Sequence, residues 1–465
     1  MRLQDMTSFD ERDASIALPG DPAYVAATRV FNLAAPVTPA AALTARTVNE
    51  IRAGITYARS AGLSVRVHTT GHSAGAAKPM AGAVLIRTEL DGAVEVDPDR
   101  RVARIPAGTQ WKAVVEATSA HGLTAPHGSS GTVGIVGYLL RGGISFYGRQ
   151  TGLAVNHVRG IELVTPDGEL VWTDADNDPD LFWALRGGGG GFGVVTAIEV
   201  DLFPASTVVT GAAFWPGEHA RTLLTLWDKW CRDAPNAVST SFRVLNLPPF
   251  PGVPEVLSGG TMICVDGVVL GGADDSVALG QADDLLAPLR AVAEPVMDTW
   301  HLTTPQDILA THMDPEDPVP AQGDHFLLTE LTEDTIDEFV KVFGPGTESP
   351  LVMAGLRQLG GNLAQPSPTG GALDHLTAPY LYSGAGIPLD ADTSATINDR
   401  LELARAALSP WDSGRTAPTF IESPTQPQGH LTPEAIARVD EVRARLDPKG
   451  LFKGDVMTNT TARPF

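Results

Sequence analysis

Residues 69–76 read Thr-Thr-Gly-His-Ser-Ala-Gly-Ala, and His72 is the only titratable side chain among them. A neutral imidazole can act as a nucleophile, a base or a ligand, and here its neighbours are too small to shield it. Two more glycine clusters lie in the same half of the chain, at 128–143 and 187–193. One such cluster reads as a turn. Three read as backbone brought close to an extended ligand, with amide N–H groups free to meet phosphate oxygens. In the helical reading of GTVGIVGYLLRGG, Gly134 and Gly137 each cost about 1 kcal/mol against alanine, so something must approach that backbone. Spacing alone therefore points to a large bound cofactor.

Other signals fail on inspection. GGGGGFG follows a helix and precedes a strand, the reverse of the order that sets a dinucleotide phosphate on a helix N-terminus. Asp174, Asp176 and Asp178 are spaced like the start of a calcium loop. The sixth position is Pro179 and the twelfth Leu185, where such a loop needs glycine and glutamate. No metal site is expected, and His-Glu-x-x-His and Walker A patterns are absent from the sequence. Asn459-Thr460-Thr461 matches a glycosylation sequon by chance.

The formal charge of −22 argues against nucleic acid and anionic membrane as partners, because both need a basic face. Two cysteines, Cys231 and Cys264, make neither a disulfide framework nor a metal site. The polar N-terminus lacks the apolar core of a signal peptide, and no apolar run reaches membrane-spanning length. A cytoplasmic protein is expected; oligomeric state is not read from the sequence.

The elements around these clusters follow from periodicity. TARTVNEIRAGITYARSAGL has helical spacing, with Thr47 as N-cap and Gly62 as stop, and SVRVH is a strand running into the His72 loop. AVLIRT, AVEVDP and RVARIPAG read as strands, TQWKAVVEATSAHG as a helix, and VRGIELVTPDGELVWTD as a hairpin about Pro-Asp-Gly. PDLFWALR is a helix and VVTAIEVDLF a strand. Strands and helices mix without regular alternation, which predicts an α+β fold. Three segments are expected: 1–205, 206–405 with its long helices, and 406–465, which closes on an amphipathic helix ending at Asp447-Pro448.

Taken in order, GHSAG, VARIPAGTQWKAVV, LTAPHGSSGTVGIVGYLLRGG, GLAVNHVRGIELVTPDGEL and LFWALRGGGGGFGVVTAIEV resemble the FAD-binding domain of vanillyl-alcohol-oxidase (PCMH) type flavoproteins. The berberine-bridge-enzyme-like oxidases, with the bacterial 6-hydroxynicotine oxidase group, are most similar. GLRQLGGNLAQP, ALDHLTAPYLY and RLDPKGLFKGD resemble that group's substrate domain and tail. The resemblance implies a PCMH-type FAD-binding domain at 1–205, a substrate domain at 206–405 with an antiparallel sheet covered by helices, and a segment, 406–465, returning to the first. It also implies FAD bonded covalently to His72. Thr69, Thr70, Gly71 and Ser73 would cradle the pyrophosphate. Gly128, Ser129, Ser130, Val133, Gly134, Gly137, Tyr138, Gly142, Gly143, Gly193 and Val195 would line the rest. Ser130 stands where relatives with a second tether have cysteine, so a single bond is expected. Val133 matches a gate position at which valine goes with oxygen access.

The sequence also departs from the family. His68, Thr69 and Thr70 replace its usual arginine and glycines, and Tyr138 stands where plant members have histidine. The family's Tyr-x-Asn-Phe aligns with Ala417-Pro418-Thr419-Phe420, so its tyrosine and asparagine are lost. The base must come from elsewhere, with Tyr382, Tyr380, Glu422 and His375 as candidates. The expected function is an FAD-dependent oxidase taking a hydride from a C–H next to oxygen or nitrogen of a small, secondary-metabolite-like substrate, with O2 as acceptor. The alternatives are a dehydrogenase or oxygenating variant, and a flavin-bearing binding protein whose catalytic residues have decayed.

Overall fold

Thr47 and Glu50 close the first long helix reciprocally: the Thr47 hydroxyl accepts from Glu50 N–H, and the Glu50 carboxylate accepts from Thr47 N–H at 2.8 Å. Such a cap contributes about 1 kcal/mol. The helix, Val48–Ala61, stops at Gly62 in the left-handed conformation (φ 67°), as the sequence suggests. In the computed structural model the described residues are 16–249, 252–272, 274–427 and 429–453. The Asn459 sequon, the N-terminal stretch up to Ser15 and the last residues of the tail motif lie outside them.

The helix buries Ile51, Ile55 and Ala58 on a small parallel sheet of Ala41–Ala45, Ala83–Thr88 and Ser64–His68, in that order. Ala41–Ala45 was not legible as a strand, because its alanines and threonine carry little β-propensity. A second, antiparallel sheet runs Glu95–Asp97, Val102–Pro106, Val194–Asp201, Val158–Val164 and Leu170–Asp174. The expected hairpin about Pro166 joins its last two strands.

The chain from Val208 to Gly386 builds an eight-stranded sheet. Its central antiparallel strands are Met262–Leu270, Val238–Leu245, Leu351–Gln358 and Tyr380–Gly386, with Gln322–Leu328 beyond. One face is apolar. Phe242, Val244, Val265, Leu356, Tyr380 and Tyr382 pack there beneath the helices Ala220–Cys231, Asp275–Arg290, Glu333–Phe343 and Ala391–Leu408. The other face turns toward the first two sheets, and Leu327, Leu359 and Leu381 join their core. The mixture is α+β, with an antiparallel sheet covered by helices on one side.

After the sheet the chain returns. The helix Pro433–Leu446 lays Val439 and Val442 into the first core, and Phe452 bridges in parallel to Val65. Arg443 donates to the carbonyls of Gly188 and Gly190, fixing the glycine run. Among the described residues no helix is long and apolar enough to cross a membrane.

Candidate active site

The three glycine clusters converge on one cavity of about 470 Å³, between the first two sheets and the open face of the eight-stranded sheet. That lies in the range of about 300–1,000 Å³ usual for ligand sites. Strand Ser64–His68 delivers the loop carrying His72 to its wall. The His72 imidazole stacks on Phe31, ring centroids 3.8 Å apart and planes within 15°. Its Nε2 lies 3.0 Å from the Thr132 hydroxyl, which lies 2.9 Å from that of Ser130. Burial pushes the imidazole down to about 4, so it is neutral at physiological pH.

Most of the residues expected to hold a cofactor meet in this cavity. Thr69, Thr70, Gly71, His72 and Ser73 line it, as do Gly128, Ser129, Ser130, Val133, Gly134, Gly137, Tyr138, Gly193 and Val195. Gly137 has nothing within 4 Å of where a Cβ would stand, as a backbone approached by a ligand requires. The helix is shorter than the sequence suggests, Ile135–Leu140, and Gly134 is its N-cap. The propensity argument thus holds for Gly137 alone. Gly142 and Gly143 do not face the cavity. Both have positive φ (94° and 69°) and turn the chain against Leu373, Tyr138 and Ala154. Ser129 also ties the halves together, donating to Asp314 at 2.7 Å.

The candidate bases separate sharply. Tyr380 and Tyr382 lie on the helix-covered face of the sheet, turned away from the cavity. The Tyr380 hydroxyl donates to Asp228, and the Tyr382 ring packs among Phe326, Phe339 and Phe343. Strand alternation explains the misreading: Ser383, one residue on, is the one that reaches the cavity. His375 pairs with Asp374 at 2.6 Å, outside the cavity. Glu422 alone of the four lines it. Burial pushes its carboxyl up to about 7, against the pull of Arg141.

Glu422 rides on a strap, residues 417–426, held from beneath. His325 Nε2 accepts from Ala417 N–H at 2.9 Å, the Gln426 amide donates to the His325 carbonyl, and Gln426 Oε1 accepts from Glu422 N–H. The strap presses on the His72 loop, for a Cβ on Gly75 would stand 2.4 Å from the Glu422 carbonyl oxygen. Gly75 is therefore small to admit the strap.

The sheet contributes a wall that the sequence reading missed. Ser241 pairs with Arg357 and Asp266, Arg243 with Gly355 and Cys264, and Gly355 with Ser383, so all share the cavity-side face. Arg243 forms an ion pair of 2.5 Å with buried Asp266, which also accepts from the Ser241 hydroxyl. The signal was present: VSTSFRVL, MICVDGVVL and GLRQ each place polar residues at alternate positions inside apolar strands. Only the register shows that they meet.

The FAD-binding domain family matches residues 39–174. An FAD-dependent monooxygenase of Penicillium roqueforti is 32% identical over 180 residues, 38% of this chain and 35% of its own length. (R)-6-hydroxynicotine oxidase of Paenarthrobacter nicotinovorans is 29% identical over 265 residues, 56% of this chain and 54% of its own. The matches thus span about a third to a half of these relatives. The solved BBE-like 1 protein of Physcomitrella patens superposes with a TM-score of 0.79 over 97% of this chain and 98% of its own, at 18% identity, which speaks to the fold. Residues 39–174 are an FAD-binding domain, and over nearly its whole length the chain has the fold of solved berberine-bridge-enzyme-like flavoproteins.

Proposed function

We propose that this protein is an FAD-linked oxidase that takes a hydride from a C–H next to oxygen or nitrogen of a small organic substrate, with O2 as acceptor. The observation that carries the reading is the cavity in which three glycine-bearing segments face Glu422 and the polar sheet wall. The fit to FAD is good. Gly137 leaves its backbone open, Gly189, Gly190 and Gly191 line the same wall, and among the described residues the buried Tyr138 hydroxyl has no protein partner. Bound FAD would supply a two-electron acceptor, and the chain supplies the rest.

His72 is the tether: its imidazole is neutral and accessible to the cavity, with Nε2 engaged by Thr132, which leaves Nδ1 as the nitrogen to bond. A single bond is favoured because Ser130 carries no thiol. Cys264 is pushed up to about 12 by burial and Cys231 is also raised, so neither offers a thiolate. Glu422 is the base. A carboxyl near 7 is about half ionised at neutral pH, the condition under which a general base is most useful.

Purified protein should be yellow and its band fluorescent on a denaturing gel soaked in acid. Colourless protein would sink the flavin reading. The His72→Ala variant should release any flavin it holds on acid precipitation. The monooxygenase among the relatives favours a second reading, an oxygenating variant. Anaerobic reduction by substrate followed by mixing with air separates them: an oxidase returns one H2O2 per substrate oxidised, an oxygenating enzyme leaves oxygen in the product.

A further inference from the structure

The flavin reading gives Arg357 no task, yet its surroundings are specialised. It stands on strand Leu351–Gln358, on the polar face of the sheet, and lines the cavity. Its guanidinium lies close to two rings, 5.2 Å from the centroid of Phe146 and 5.6 Å from that of Phe420. Phe146 belongs to the FAD-binding half, and Phe420 to the strap that carries Glu422. Contact with ring faces holds a guanidinium in place while its in-plane N–H groups stay open to an acceptor.

Its protein partners leave most of those N–H groups unused. Among the described residues its one hydrogen bond goes from Nη2 to His312 Nε2, at 3.2 Å. Burial, with Arg243 and Arg357 close by, holds His312 neutral, so the ring nitrogen accepts. Asp266 is taken by Arg243 and by the Ser241 hydroxyl. Asp314, the other carboxylate facing this end, accepts from Ser129. Among the described residues no carboxylate lies within ion-pair distance of Arg357, and its Nε–H and Nη1–H have no protein acceptor. A permanently charged group withdrawn from bulk water and left without a contact counterion is a receptor for one. Arg243 beside it shows what satisfaction looks like on the same wall.

We propose that Arg357 binds a carboxylate on the substrate, donating to it from an N–H that no protein group uses. The substrate class is then a small organic acid whose oxidisable C–H is held toward the flavin side of the cavity. Phe146 and Phe420 favour a flat or apolar body behind the carboxylate. The inference rests on the flavin reading for the identity of the cavity, though not for the recognition itself.

The test compares acids with their uncharged counterparts. Benzoate and indole-3-acetate are titrated against benzamide and indole-3-acetamide into the protein as purified, by calorimetry, with flavin content and flavin potential measured on the same samples. The wild type should hold at least one acid about 10-fold or more tighter than its amide. Arg357→Met should bring that ratio to about one while leaving amide affinity and flavin potential unchanged, and Arg357→Lys should keep part of the preference. Equal binding of acid and amide by the wild type, including no binding of either, overturns the proposal. So does an Arg357→Met protein that keeps the preference but shifts the flavin potential, because the guanidinium then serves the flavin. The wild-type comparison decides even where a variant fails to fold. Colourless protein that still prefers acids removes the flavin reading alone; yellow protein without the preference removes this one alone.

Discussion

His72 and Glu422 face one cavity, and the same cause drives them in opposite senses. Removal from water disfavours charge, so the imidazole falls to about 4 and the carboxyl rises to about 7. The histidine is neutral throughout the working range, whereas the carboxyl is poised. If Glu422 takes the proton, kcat/KM falls as pH drops below about 7, where the group is protonated, and levels off above it. Glu422→Gln should remove that limb and slow substrate-driven flavin reduction by about 10²–10⁴-fold, measured anaerobically. A pH profile that survives the substitution would assign the base elsewhere. At this scale the sequence was legible where a residue type stands alone: His72 is the only titratable group in its loop, and Ser130 marks a missing thiol. It was illegible where a strand must choose a face. Tyr380, Tyr382 and Ser383 lie in one strand, and nothing local says which reaches the ligand.

Among the elements, the strap 417–426 holds the key position, fastened by His325 beneath and pressed against Gly75 in front. The glycines of the His72 loop therefore have separate tasks. Gly75→Ala would put a methyl group 2.4 Å from the Glu422 carbonyl, forcing the strap outward. A displacement near 1 Å costs about 10²-fold in well-ordered sites. The variant should therefore lose turnover while its melting temperature moves by only a few degrees, compared by calorimetry against wild type. The capped helix Val48–Ala61 and the Pro166 hairpin were readable because their signals are local. The polar wall of Ser241, Arg243, Asp266 and Arg357 was not, because it is assembled from strands whose order, 262–270, 238–245, 351–358, the sequence does not state.

At the scale of the molecule, the two halves are joined by buried polar contacts as well as apolar packing. Arg149, from the FAD-binding half, donates to the carbonyls of Ala234, Val238 and Leu359. Replacing it with methionine strands three acceptors at that seam. Arg149→Met should lose on the order of 3 kcal/mol in urea unfolding, and it should do so without altering the flavin spectrum of the folded protein. A loss under about 0.5 kcal/mol would show that apolar contacts alone hold the halves together.

The Phe31–His72 stack also bears on how the enzyme matures. Phe31 N–H donates to the Thr70 carbonyl, its own carbonyl accepts from Val319 N–H, and Asn32 exchanges two hydrogen bonds with Ala321. The ring that stacks on the imidazole proposed as the tether is thus set in place by the other half of the chain. Covalent attachment should then follow the docking of the halves and serve as its permanent record. Asn32→Ala, which touches neither flavin nor His72, should lower the acid-stable flavin fraction and leave the fully tethered molecules as active as wild type. Each yellow band would then count the molecules whose halves had closed in time.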